Sequence, residues 1–104
     1  MTQVLPIDNA SGYPDISFTT FLSQREFRIR FLWNDTDGFW YMDILDAEGE
    51  PVTLGTRVVL DWDLIRTITR SNRPPGSIFA ISVEGQGPPK LFDLGTRVQL
   101  VYSP

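Results

Sequence analysis

Two runs of alternating side chains, separated by a short polar turn, constrain the fold of this chain more than any other feature. In REFRIRFLW (25–33) a large apolar residue occupies every second position. FWYMDIL (39–45) carries one purely apolar face, which consists of Trp40, Met42 and Ile44. Side chains that alternate with period two lie on opposite faces of a β-strand. Because NDTDG (34–38) supplies turn residues between the runs, the sequence predicts a β-hairpin with one face in a core.

Further strand-like segments flank this hairpin and define the expected domain. They are ISFTTFL (16–22), IFAISVEG (78–85) and LFDLGTRVQLVY (91–102), and Gly- and Pro-rich turns separate them. Short strands at this spacing predict an all-β fold, a single small antiparallel β-barrel or sandwich of six or seven strands.

Two segments do not follow the strand pattern. Residues 61–69 have apolar spacing that fits a short helix or helical turn, with a strand as the open alternative. Residues 1–15 contain Pro6, Gly12 and Pro14 and little periodicity, so we expect a flexible N-terminal arm before a single β domain at 16–104.

A seven-residue sequence occurs twice, as LGTRVVL (54–60) and LGTRVQL (94–100), with six of the seven letters shared. The one difference, Val59 against Gln99, lies on the face opposite to the shared Val and Leu positions. We interpret the two copies as sheet strands that enter from similar turns, with the Gly of each copy at a turn or bulge. A twofold pseudo-repeat remains the alternative.

The composition excludes several classes of function. The chain of 104 residues has no Cys and no His and a net charge of −4. Thiol nucleophiles, the usual zinc sites and acid–base catalysis by His are therefore excluded. An acidic surface argues against binding to a nucleic-acid backbone. No apolar run is long enough to span a membrane. We expect no enzyme activity, no cofactor, no direct nucleic-acid readout and no membrane partner.

Acidic and aromatic residues offer two alternative functions. Asp61 and Asp63 resemble the paired carboxylates of a small hydrolase, although strand-end Asp residues usually serve turns. The aromatic residues Trp33, Trp40 and Tyr41 flank an acidic turn and are the basis of the alternative that the chain is a small carbohydrate-binding β module.

Arginine dominates the basic residues, since only Lys90 among the nine is a lysine. Arginine is common at protein interfaces because its planar guanidinium makes bidentate contacts. We therefore take seven of the eight arginines as candidate partner-binding residues: Arg28, Arg30, Arg57, Arg66, Arg70, Arg73 and Arg97.

The order of these pieces resembles the baseplate plug protein family of contractile-tailed, cyanophage-type bacteriophages. The resemblance spans about residues 16–102 and is carried by FRIRFLWN (27–34), WYMDILD (40–46), PVTLGTRV (51–58), FDLGT (92–96) and LVY (100–102). Residues 61–77 match the family pattern poorly.

The resemblance implies a structural subunit of a virion, assembled in the host cytoplasm, that closes the tail near the central hub. It implies binding to other phage tail proteins (hub, tail tube, sheath initiator or spike) in a hetero-oligomer, with homo-oligomeric copies around the tail axis as an added option. Unpaired sheet edges would provide contacts by strand addition.

Overall fold

The computed structural model describes residues 2–7, 12–85 and 87–104. The strands in these ranges are β1 (Gln3–Val4), β2 (Asp15–Leu22), β3 (Arg25–Asn34), β4 (Phe39–Asp46), β5 (Pro51–Arg57), β6 (Ser77–Ser82) and β7 (Val98–Ser103). They form a large sheet in the order β2-β3-β4-β5 and a small sheet in the order β1-β7-β6, with every neighbour antiparallel. Both sheets line one core, so the architecture is a sandwich and not a closed barrel. The predicted all-β class is confirmed.

The large sheet is a meander of hairpins, as the alternating runs predicted. Ser23 and Gln24 connect β2 to β3 with φ of 52° and 67°, the left-handed values that a two-residue turn needs to match the twist of its strands. In the turn between β3 and β4, Gly38 has a φ of 74° and its N–H donates to the Asn34 carbonyl at 2.8 Å.

The core lies between the inner faces of the two sheets. From the large sheet it takes the fully buried side chains of Phe27, Ile29, Phe31, Trp40, Met42 and Ile44. From the small sheet it takes Ile78, Ala80, Val98, Leu100 and Tyr102. The predicted inward faces of β3 and β4 are thus the buried ones, and burial of these large side chains is the main source of stability.

The first strand attaches the start of the chain to the small sheet. β1 pairs with β7, the N–H of Leu5 donates to the carbonyl of Leu100 at 2.8 Å, and the Leu5 side chain is buried. Within the predicted arm of residues 1–15, residues 2–7 are therefore packed on the β domain, whereas 8–11 lie outside the described part. Flexibility of the arm before assembly stays a prediction.

The short helix predicted at 61–69 is not formed, and this prediction was wrong. The segment folds as turns that run along the outer edge of β6. The N–H groups of Asp61 and Leu64 donate to the carbonyls of Ala80 and Ile78 at 3.0 and 2.8 Å. Asp61 has a φ of 59°, which lies outside the helical region. The N–H groups of Arg66 and Ile68 donate to the carbonyls of Asp63 and Ile65 at 3.2 and 3.3 Å, so single turns and bonds to β6 stand in place of a continuous helix.

The two copies of the repeated heptad agree in part of their burial. Val58, Val98 and Leu100 are buried, as the shared face predicted. The leading leucines differ, since Leu54 is 60% exposed and Leu94 is fully buried. The strand also covers different parts of the two copies: β5 ends at Arg57, within the first copy, whereas β7 begins at Val98, within the second. The interpretation of both copies as strands entered from similar turns was therefore wrong.

The glycine of each heptad has the left-handed conformation that its position requires. Gly55, with φ 69°, lies at the bulge of β5, where its N–H donates to the Asp43 carboxylate at 2.7 Å. Gly95, with φ 86°, lies in the turn before β7, and a Cβ there would approach the Ile7 carbonyl to 2.9 Å. The prediction of a turn or bulge at both glycines is confirmed.

Candidate interaction surface

A groove of about 710 Å³ lies between the segment that follows β5 and the loop that follows β6. Phe39, Val59 and Leu60 form one wall, and Gly85, Gly87 and Pro88 belong to the other. The first wall offers apolar side chains, and the second offers backbone of the loop. An apolar concave surface with backbone polar groups at its rim suits a segment of another protein.

Arg57 is held over the ring of Phe39, one of the residues that line the groove. Its guanidinium carbon is 4.1 Å from the centre of the Phe39 ring. Its Nη2 donates to the hydroxyl of Tyr41 at 3.3 Å and lies 3.9 Å from the Asp37 carboxylate. The hydrogen bond to Tyr41 raises the pKa of Arg57. The groove therefore carries a pre-oriented cation, a group that is frequent among energetically important interface residues.

A second arginine–aromatic pair follows the groove in the chain. Trp62 is 49% exposed, and the guanidinium carbon of Arg66 is 5.2 Å from its ring centre. Asp61, which lines the groove, has a left-handed φ of 59°. A non-glycine residue in that conformation is strained, and such strain concentrates at functional sites. Residues 57–66 therefore combine exposed aromatic surface, cations and a strained backbone.

Arg28 and Arg30 lie on the outer face of the large sheet. Arg30 forms a bidentate pair with Asp15, with N···O distances of 3.0 and 2.6 Å. This pair lowers the pKa of Asp15 and raises that of Arg30. Both arginines also line a shallow cavity of about 460 Å³ with Ser17 and Leu45. The outer face of the large sheet is thus charged and exposed.

Arg70 and Arg73 bind backbone carbonyls of their own chain. Arg70 Nη1 donates to Pro51 O at 3.1 Å, and Arg73 Nη2 donates to Gly76 O at 3.0 Å. Arg70 remains exposed, whereas Arg73 is half-buried. Arg70 therefore links its loop to β5, and Arg73 stabilises the turn before β6.

Arg97 connects the turn before β7 to the loop after β6, and its side chain is only 20% exposed. Its guanidinium donates to the side-chain oxygens of Ser82 and Asp93, both at 3.1 Å. It also donates to three carbonyl oxygens at 3.3 to 3.4 Å, those of Glu84, Gly87 and Pro88. Burial raises the pKa of Asp93, but hydrogen bonds from Lys90 N–H and from Arg97 outweigh it, and the pKa is lowered overall. Arg97 therefore holds the loop wall of the groove in place.

The three aromatic residues of the carbohydrate alternative do not form one platform. Trp40 is fully buried, and its indole N–H donates to the Lys90 carbonyl at 2.9 Å. Trp33 packs edge-on against Trp40, with ring centres 5.6 Å apart. Tyr41 follows Trp40 in the strand and points to the opposite face of the sheet. A flat sugar-binding surface made from these three rings is therefore not present.

The acidic residues mostly serve turns. The Asp46 carboxylate accepts from the N–H groups of Glu48 and Glu50 at 3.0 and 2.9 Å. The Asp63 carboxylate accepts from the N–H of Ile78 at 3.2 Å, so it joins its turn to β6. Among the residues that the structure describes, no acidic group is arranged to hold a metal ion. The arrangement suits backbone capping.

The groove could not be predicted from the sequence, although Arg57 and Arg66 are candidate partner-binding residues there. Phe39, Val59 and Leu60 lie in strand-like segments of the sequence, and only the tertiary structure brings them opposite the loop after β6. The available signal was the Gly- and Pro-rich composition of that loop, which allows a backbone wall without bulky side chains.

Comparison with known proteins identifies the family. No helix able to cross a bilayer is found in residues 2–7, 12–85 and 87–104. No curated protein matches the sequence. The family model described as the cyanophage baseplate Pam3 plug gp18 matches residues 2–104, nearly the whole chain. The chain therefore belongs to the cyanophage baseplate plug family, and its role is that of a structural component of a phage tail baseplate.

Proposed function

We propose that this protein is the plug that closes a phage tail near the central hub and that it is held there by contacts with other tail proteins. The observation that carries the proposal is the family match over residues 2–104. A β-sandwich suits a stopper, because one buried apolar core holds its two sheets together. The protein is incorporated into the virion after assembly in the host cytoplasm.

The proposed contact surface for the hub, tube, sheath initiator or spike protein is the groove together with the two arginine–aromatic pairs of residues 57–66. Arg57 and Arg66 are both exposed and stacked on rings, so little side-chain freedom is lost when a partner binds. Arg28, Arg30 and Arg70 supply further exposed cations at other places on the surface.

Arg73 and Arg97 enter this proposal only as supporting residues. Both donate to carbonyl groups of the same chain, and their role is to hold the loops that carry the contact surface. No chemical step is part of the proposed function, because the candidate carboxylate Asp63 is hydrogen-bonded to backbone.

The proposal is tested by mixing the purified protein with the hub and tube proteins of the same phage. We expect co-elution at micromolar concentration. Arg57→Glu should weaken it at least about tenfold, because the change places a carboxylate at a groove that offers a cation. Glu48→Lys, an exposed change in another turn, is the control and should leave binding unchanged. Wild-type protein that elutes apart from every tail protein would refute the proposed contacts.

A further inference from the structure

The two sheets have four edges, and three of them are blocked within the described residues. The outer edge of β6 is covered by residues 60–64, which bond to its carbonyls. β5 is interrupted by a bulge, and its Pro51 carbonyl already accepts from Arg70. β1 has only two residues. Proteins commonly protect their sheet edges in these ways, so the remaining edge, β2, is the exception.

β2 presents an open run of backbone groups. It pairs with β3 in an unbroken register over eight residues, and Trp33 N–H donates to Pro14 O at 2.8 Å. Because hydrogen-bonded positions alternate along an antiparallel strand, the N–H and C=O groups of Asp15, Ser17 and Thr19 point away from β3. The next outward carbonyl, that of Phe21, accepts from the side chain of Gln3. The open run is therefore centred on Ser17.

The core is also incomplete at this edge. Ile16 and Phe18 point inward but are only half-buried, in contrast to the fully buried apolar side chains of β3. Phe18 stacks on Phe31 with ring centres 6.2 Å apart, and none of the described strands lies on its other side. A strand added beside β2 would cover both side chains.

The side chains on either side of Ser17 match those of a second copy of β2 that runs in the opposite direction. Tyr13 and Phe21 lie four residues to either side and are 64% and 61% exposed. We propose that β2 pairs antiparallel with β2 of a second copy about a twofold axis at Ser17, so that the two large sheets become one continuous sheet. Tyr13 then faces Phe21 of the other copy, which buries both exposed rings.

The inner side chains and the charges fit the same register. Ile16 faces Phe18 of the second copy, an aliphatic–aromatic pair that closes the open edge of each core. Asp15 faces Thr19 of the second copy, and beyond that threonine lies Arg28, about 9–10 Å from Asp15 across two strand spacings. A long arginine side chain bridges this distance. No like charges face each other, so the second copy is the occupant that this edge fits.

Cysteine cross-linking tests the register, because the natural chain has no cysteine. About a twofold axis at Ser17, the two residues 17 lie about 5.5 Å apart between Cα atoms, which is within disulfide range. We expect Ser17→Cys to form a cross-linked dimer under mild oxidation. Thr19→Cys is the matched control: its two copies are offset by four residues, about 13 Å, and should not cross-link.

Dilution experiments on the full chain test the association itself. Sedimentation across the micromolar range should show a monomer–dimer equilibrium. Ser17→Pro should weaken it at least about tenfold, because each copy loses the outward N–H and gains a ring at the edge. Its circular dichroism should remain that of the wild type, since that N–H donates to no group in residues 2–7, 12–85 and 87–104. A wild-type monomer at all concentrations, or cross-linking of Thr19→Cys as efficient as that of Ser17→Cys, would overturn the proposal. Neither readout requires a tail protein.

Discussion

The repeated heptad provides a matched pair of arginines for one decisive stability experiment. Arg57 and Arg97 follow the same three letters, LGT, but the first is exposed and stacked on the Phe39 ring, whereas the second is half-buried and hydrogen-bonded to a loop. We therefore compare Arg97→Ala with Arg57→Ala. The two changes remove the same side chain from the same local sequence, so a difference in stability reports the tertiary contacts.

The contacts set the expected magnitudes. The Arg97→Ala change removes the hydrogen bonds to Ser82 and Asp93 at 3.1 Å and the longer ones to three carbonyls. A hydrogen bond to a charged group contributes about 1.5–3 kcal/mol net, and the bonds of one guanidinium are not additive. We expect Arg97→Ala to cost about 2–3 kcal/mol of the free energy of unfolding. Arg57→Ala removes an exposed cation–π contact and should cost about 0.5–1 kcal/mol.

Urea unfolding followed by tryptophan fluorescence measures both variants. The midpoint should fall clearly for Arg97→Ala and slightly for Arg57→Ala, with the slope of the transition unchanged because the exposed surface is similar. Arg97→Lys retains the charge without the planar fork and should recover only part of the loss. Equal costs for the two alanine variants, or a larger cost at Arg57, would refute the conclusion that Arg97 connects the turn before β7 to the loop after β6.

Three further predictions concern the turns and the acidic side chains. Tyr102→Phe should cost about 1–2 kcal/mol in urea unfolding, because the Ser23 hydroxyl loses its buried partner at 2.7 Å; an unchanged midpoint would contradict this role. Gln24→Gly should raise stability by up to about 1 kcal/mol, because it relieves a left-handed φ of 67°, and a lower melting temperature would count against the turn assignment. The lowered pKa of Asp93 predicts stability that is present above the ordinary Asp pKa and is lost as the pH falls below about 4. Asp93→Asn should flatten this acid-side loss in melting curves, and an identical pH profile would argue against a stabilising ion pair with Arg97.

The alternating runs were sufficient to predict the class of fold and most of the buried face. Phe27, Ile29 and Phe31 had to face a core, because a one-residue shift would expose all of them together. The same reasoning failed at 61–69, where the apolar spacing suggested a helix. There the carbonyl groups of β6 are the acceptors for two of the segment's N–H groups, and such long-range bonds leave no periodic trace in the sequence.

The heptads show the same limit at single residues. Leu54 precedes the bulge of β5 and is exposed, whereas Leu94 lies beneath the turn before β7 and is buried. The contact surface could not be predicted either, because the sequence does not distinguish an arginine that binds a partner from one that stabilises a loop of its own chain. Arg57 and Arg97 differ only in what the folded chain brings near them, and local sequence does not encode that.

The central position of β7 in the small sheet has a consequence for synthesis. The four strands of the large sheet follow one another directly and can pair while translation continues, because each hairpin closes a short loop. β1 is synthesised before these four strands, yet its partner consists of residues 98–103. β1 therefore stays without its sheet partner until residues 98–103 have left the ribosome, and Leu5 is exposed during that interval.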